Sequence, residues 1–463
     1  MKYSNIELME KAPVLTSLVR LAVPAVLGIL VQLVYNITDT YFIGLLDDYR
    51  QIAAVSLTMP VMLVSGALSH IFSAGAPSYI SRLLGMKEYE EVRKTSSFAF
   101  YTTALMGIVI TAVTLAFLNP VVRFIGANDD TFSFTRDYLS IVTFFSVIGM
   151  SSGILQGLLR SEGAAKMASI GMVIGAVSNM FLDPLFILVF GMGIRGAAAA
   201  TVIGNALSFL FFIILLCRRN NQVSIAPKYY RPNRVMVKEV LSIGEPSSLS
   251  MVILSFSTVL YNTLAVGYGT YVIAASGIMV KAQMMGVMII MGISMGMQPF
   301  IGFNYGAGNF KRMFSGIRSS IVAGTAVCLL FVMLFAVGAR WFVRQFSSDE
   351  QVIGIGTRML RLAIIGLPFM SLQMTFMTYL QATGQALKAM IVNLSRQCLI
   401  LIPVMLLMNY FFKLDGFLLA QPFADIATTV LAVALVLFGM LKLRGQNDRP
   451  ADNFIVEGVG ISK

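Results

Sequence analysis

Twelve stretches of this chain are each apolar over about 20 residues or more, the length a helix needs to cross a bilayer. They run near 17–44, 52–80, 96–118, 136–157, 167–190, 196–217, 239–266, 272–302, 316–339, 358–380, 389–411 and 416–441. In hydrocarbon every backbone N–H and C=O must be satisfied within the protein, so such stretches predict helices. Of the 463 residues 57% are hydrophobic and only 12% charged, too little polar surface to coat a soluble protein of this size. That balance excludes a plain soluble protein and a disordered chain. One His and three Cys (Cys217, Cys328, Cys398) leave little material for a metal cluster or a disulfide framework. The first apolar stretch follows acidic residues and is too long for a cleavable signal peptide, so none is expected.

The net charge of +12 is placed by topology. With twelve spans both termini share one side. That side holds 21 of the 34 Lys and Arg, including Arg82, Lys87, Arg93, Lys94, Arg218, Arg219, Arg231, Arg234, Lys311 and Arg312. The opposite loops hold 8: Arg50, Arg123, Arg136, Arg195, Arg340, Arg344, Arg358 and Lys413. Basic residues are retained in the cytoplasm, so both termini are expected there, and the basic excess needs no nucleic-acid partner. A polar linker at 218–237 divides the chain almost in half. The expected organisation is a first lobe at 1–217, the linker, a second lobe at 238–441 and a cytoplasmic tail at 442–463.

The halves resemble one another at an offset of about 220–226 residues. Tyr35-Asn36 matches Tyr261-Asn262, Ile52-Ala53-Ala54 matches Ile273-Ala274-Ala275, and Ala76-Pro77 matches Gln298-Pro299. Val122-Arg123 matches Val343-Arg344, Thr135-Arg136 matches Thr357-Arg358, Gly163 matches Gly384 and Gly196 matches Gly416. Six spans per half is an even number, so both halves enter the membrane with the same orientation. This is the parallel-repeat arrangement of transporters, in which two bundles rock about a shared cavity. A duplicated scaffold with no moving cavity is the plainer alternative.

Ionisable groups within spans are expensive and are functional candidates by default. Asp39 lies in the first span, Asp183 in the fifth, Lys281 in the eighth, Asp425 in the twelfth, and Glu245 near the start of the seventh. Asn179 and Asp183 are four apart and share one helix face. Pro184 has no N–H and frees a carbonyl one turn back. Thr201 follows the small-residue run Gly196 to Ala200, which lets helices approach closely. Two carboxylates, an amide oxygen and a hydroxyl can then converge, a set that suits a small alkali cation. The pair equally suits a proton, because two adjacent carboxylates do not both ionise easily. The plainer reading has each Asp bonding a helix break. At the local offset Asp39 corresponds to Ala265, Asp183 falls near Pro403 and Thr201 near Gln421, so the pair is confined to the first half. His70 reads as a hydrogen-bonded structural group or a proton relay, and Asp425 as a polar group between packed helices. The cluster Met279, Met284, Met285, Met288, Met291, Met295 and Met297 suits either packing or a cavity that accepts varied apolar ligands.

Several further segments together resemble the multidrug and toxic compound extrusion (MATE) family, over about residues 12–445. They are the Pro24 span ending in Asp39-Thr40-Tyr41-Phe42-Ile43-Gly44, Arg160-Ser161-Glu162-Gly163, Gln298-Pro299 followed by Asn304-Tyr305-Gly306-Ala307-Gly308, and Gln381-Ala382-Thr383-Gly384. Asn179, Asp183 and Gly196 to Gly204 complete the pattern, which is most similar to the bacterial MepA-like and DinF-like branches. The resemblance implies an all-α integral membrane protein of twelve helices in two six-helix lobes, V-shaped, in a bacterial cytoplasmic membrane. It implies no catalytic residues and no cofactor beyond a coupling ion, H⁺ or Na⁺. It implies export of cationic amphipathic drugs by a monomer, with the cation held by Asp39, Asn179, Asp183 and Thr201. Tyr35, Asn36, Met180, Lys281, Met284 and Met288 are the candidates for contact with the drug. The NorM-like branch carries an acidic residue midway along the seventh helix; Met251 to Ser257 holds none, which weakens a second-lobe Na⁺ site. The nearest rival is a flippase-type exporter of lipid-linked oligosaccharide, which would need several cations facing pyrophosphate. An intramembrane enzyme and a non-transporting receptor are the others.

Overall fold

The computed structural model describes residues 4–46, 48–218 and 221–446, and all its regular elements are helices. The linker residues Arg219 and Asn220, and positions 447–463 of the expected tail, lie outside the described residues.

A short helix α1 (Asn5–Glu10) is capped by Ser4, whose hydroxyl accepts from the Glu7 N–H while the Glu7 carboxylate accepts from the Ser4 N–H. The first lobe contains α2 (Val14–Gly44), α3 (Tyr49–Gly85), α4 (Tyr89–Ala116), α5 (Leu118–Phe124), α6 (Asp129–Phe144), α7 (Ser146–Ser161), α8 (Ala165–Pro184) and α9 (Ile194–Arg218). The second lobe contains α10 (Arg234–Val266), α11 (Thr270–Gly306), α12 (Phe310–Arg344), α13 (Glu350–Ile365), α14 (Leu367–Ala382), α15 (Ala386–Leu394) and α16 (Leu401–Gln446).

The expected fourth span is α6 plus α7, bent by 46° between Phe144 and Ser146. The tenth is α13 plus α14, which meet at Gly366, just ahead of Pro368. The eleventh and twelfth run on as one helical stretch, Ala386–Phe438, broken at Lys413, where φ is 50° and ψ is −130°. The chain reverses there, and a methyl group on Gly416 would collide with the Met408 carbonyl, so only Gly closes this turn. With the bent pair taken as one span and the long stretch divided at Lys413, the described residues contain twelve membrane helices in two lobes. Large apolar residues such as Leu105, Val109, Leu330, Met333 and Val337 stay exposed on the outer faces, where lipid replaces water.

The lobes meet chiefly where α3 packs on α10 and α11 and where α2 packs on α11. Contact is concentrated at the end that carries α1 and the linker. Gly75 of α3 backs onto the Val240 carbonyl, and Gly244 of α10 backs onto the Ile71 carbonyl, so closely that neither position has room for a methyl group. Ser248 donates to the Ala67 carbonyl at 2.6 Å, and Ser78 donates to the Gln381 carbonyl. Arg82, 1% exposed, pairs with Glu239 at 2.8 Å. Arg312 of α12 donates to the Met9 carbonyl at 2.9 Å, fastening α1 beneath the second lobe. Toward the other end, large residues of these same helices are exposed: Val34, Ile37, Tyr41 and Met59 on one lobe, Phe256, Val259 and Val266 on the other.

Candidate functional site

Helix α8 passes at Pro184 into one π-helical turn, Leu185–Val189, where Phe190 N–H donates to the Leu185 carbonyl at 2.9 Å. Proline deletes one α-helical donor, and the wider turn follows from that break; π turns recur at functional sites. Asp183 sits at this transition, completely buried. Asn179 lies one turn earlier on the same face, also buried. Its amide satisfies both neighbours in one orientation: the nitrogen donates to Asp183 Oδ2 at 2.7 Å, and the oxygen accepts from Thr201 N at 3.0 Å and Thr201 Oγ1 at 3.2 Å. Asn179 therefore ties α8 to α9 and orients the Asp183 carboxyl.

Asp39 of α2 brings its carboxyl within hydrogen-bonding reach of Asp183. Asp183 Oδ1 has no N–H or hydroxyl donor among the described residues. Two adjacent acids, one with an oxygen that accepts no hydrogen bond, are chemically suited to share a proton or a small cation. The Tyr35 hydroxyl, one turn below Asp39, lies close to Thr201. The structure thus places Asp39, Asn179, Asp183 and Thr201 together, with Tyr35 against them.

The cluster adjoins a cavity of ≈ 170 Å³ inside the first lobe. Tyr35, Asn179 and Thr201 form one wall, with Gln32, Gln156 and Asn205 among the rest. A second chamber of ≈ 200 Å³ lies between the lobes and shares Gln32, Gln156 and Met172 with the first. Its second-lobe wall is Met288, Met291 and Met295, one helical stripe of α11. Met284 and Lys281 extend that stripe outward, both exposed, and Lys281 lies 5.4 Å from the Phe346 ring centre.

Other expected groups fall elsewhere. Asn36 is exposed and Met180 half-buried, and neither lines these two cavities. Glu245 is exposed. Asp425 joins packed helices through an ion pair, Arg396 Nε to Asp425 Oδ1 at 3.1 Å. His70 makes no hydrogen bond among the described residues and has Arg160 as a charged neighbour. Sequence reasoning missed Tyr138, which lies within electrostatic range of Asp39, Tyr35 and Asp183. It also missed Gln156 and Arg160, four apart on α7 with Ser152 and Gly149 behind them; that polar stripe along an apolar span was the available signal.

A family model described as MatE matches residues 24–185 and again 246–407, the second copy displaced by 222 residues at both ends. Multidrug export protein MepA of Staphylococcus aureus is 32% identical over 438 residues, covering 94% of this chain and 96% of that protein. The Staphylococcus haemolyticus MepA is 31% identical over 436 residues, with the same two coverages. A solved outward-facing structure of a multidrug resistance MATE family transporter of the MOP superfamily superposes with TM-score 0.89 at 24% identity, over 97% of this chain and 100% of that one. A crystal structure of MATE in the straight conformation gives TM-score 0.89 at 23% identity, again over 97% and 100%. With both halves matched by one family model and a relative aligned almost end to end, this chain belongs to the MatE family of membrane transporters.

Proposed function

We propose that this protein is a secondary active multidrug exporter, moving small amphipathic organic cations outward in exchange for inward H⁺ or Na⁺ across a bacterial cytoplasmic membrane. One observation carries the reading: Asp39 and Asp183 stand within reach of each other, fixed by Asn179 and Thr201, beside a cavity of the first lobe. The staphylococcal relatives, multidrug export proteins by name, support export of drugs. By the excess of basic residues, the closed end of the molecule faces the cytoplasm and both termini lie there. The chain works as a monomer and carries out no covalent chemistry.

In this scheme the ion enters from the open end and neutralises the acids. The drug is held best while they are charged, so ion and drug favour different conformations. Each then drives the other off by its differential affinity. Four oxygen donors can ligate Na⁺, and the shared carboxyl pair can hold H⁺. A flippase for pyrophosphate-linked sugars would want several cations in the central chamber; among the described residues Arg160 alone lines it.

The test is ethidium efflux from proteoliposomes under a pH gradient or a Na⁺ gradient, each imposed separately. One or both should accelerate efflux well beyond that of protein-free vesicles. Efflux indifferent to both gradients would overturn the reading.

A further inference from the structure

Helix α7 ends in a cation that the ion site does not use. Arg160 occupies its last turn and lines the chamber between the lobes. Among the described residues it has no carboxylate partner. Its side-chain contact is a long approach of Nη1 to Met295 Sδ, 4.0 Å. The negative end of the α7 dipole offsets part of the charge. It leaves most of a planar fork of five N–H donors without a protein acceptor on the wall of the chamber. That fork matches the two oxygens of a carboxylate.

The rest of the chamber is suited to hydrocarbon. Ala25 and Ile29 face Met288, Met291 and Met295, whose flexible thioethers adapt to varied shapes. At ≈ 200 Å³ the chamber is smaller than the usual pocket for a drug-sized ligand, about 300–1,000 Å³. It takes a head group and a single slim stem; a two-tailed lipid is too wide.

We propose that this chamber is an anion-accepting subsite in which Arg160 holds the carboxylate of a single-chain amphipathic substrate. The stem lies along Met295, Met291 and Met288 and leaves the chamber toward Met284. Gln32 and Gln156, common to both cavities, connect this cationic end to the acidic cluster. A zwitterionic amphipath can therefore address both. Calling the ligand a substrate rests on the export reading; its binding does not.

The test uses the purified full chain in detergent and two fluorescent probes, 11-(dansylamino)undecanoic acid and its primary amide. The acid should bind at least tenfold more tightly than the amide. Arg160→Gln should lose about tenfold for the acid and nothing for the amide, and Arg160→Lys should recover part of the loss. Equal binding of acid and amide by the unmodified chain overturns the proposal without any variant that must fold. Unchanged acid affinity in Arg160→Gln overturns it as well. Ethidium efflux is measured in parallel: its failure alongside clear acid–amide discrimination removes the export reading and leaves the subsite standing.

Discussion

The two lobes carry opposite contents at matching positions. The displacement of 221 residues from Gly163 to Gly384 brings Gly175 onto Arg396, and that of 220 from Gly196 to Gly416 brings Asn205 onto Asp425. In the first lobe Gly175 and Asn205 line an open polar cavity. In the second, Arg396 and Asp425 form an ion pair, and Asp425 is 2% exposed. Both lobes have a π turn in the helix concerned, Leu185–Val189 and Ser395–Leu399. At these matching positions one duplicated framework thus holds a cavity in one half and an ion pair in the other. A buried ion pair does little more than balance its own desolvation. The pair in the second lobe is therefore better understood as a plug that spares that lobe an exposed acid than as a source of stability.

The largest effect should come from the lobe with the cavity. Asp39→Asn and Asp183→Asn should each reduce gradient-driven efflux to that of protein-free vesicles, with little change in melting temperature. Full efflux by both variants would show that the cluster is not where the gradient acts.

Next comes the plug. Arg396→Ala leaves Asp425 buried without its partner and should lower stability by about 3–5 kcal/mol. Thermal unfolding in detergent reads the loss. The double variant Arg396→Met with Asp425→Leu should recover most of that stability and keep efflux. A double variant that folds but no longer couples would break the contrast between the lobes.

A smaller change follows at the support of the acids. Thr201→Val removes the hydroxyl that meets Asn179 and Tyr35, and should weaken ion affinity by roughly tenfold, about 1.4 kcal/mol. Thr201→Ser should restore it, as measured by the ion concentration for half-maximal efflux. Smallest is Tyr138→Phe, within range of the acids but without a hydrogen bond to either among the described residues. Less than a threefold change in the same assay is expected.

The spans were legible because twenty apolar residues in a row have few physical alternatives. The acids were legible for the converse reason: Asp39 and Asp183 stand out against their surroundings. Breaks between helices were harder. No proline marks the 46° bend at Phe145, and Lys413 looks like an ordinary loop residue although the chain reverses on it. Asp425 was correctly placed among packed helices, but its partner Arg396 lies 29 residues away across that reversal, and no local pattern joins them. Arg160 was hidden differently: a basic residue near a helix end is common, and its position in a chamber between the lobes depends on α11 of the other lobe.

At two points the seam between α3 and α10 brings main chain against main chain, since Gly75 and Gly244 each press against a carbonyl of the opposite helix. Main chain in direct contact has no rotamers through which to yield. Such a weld holds or parts as a whole, and it is indifferent to the shape of the passenger above it. A carrier built this way can be undiscriminating in its pliable sulfur-lined hold and still strict about leakage, because permissiveness and watertightness are assigned to different materials.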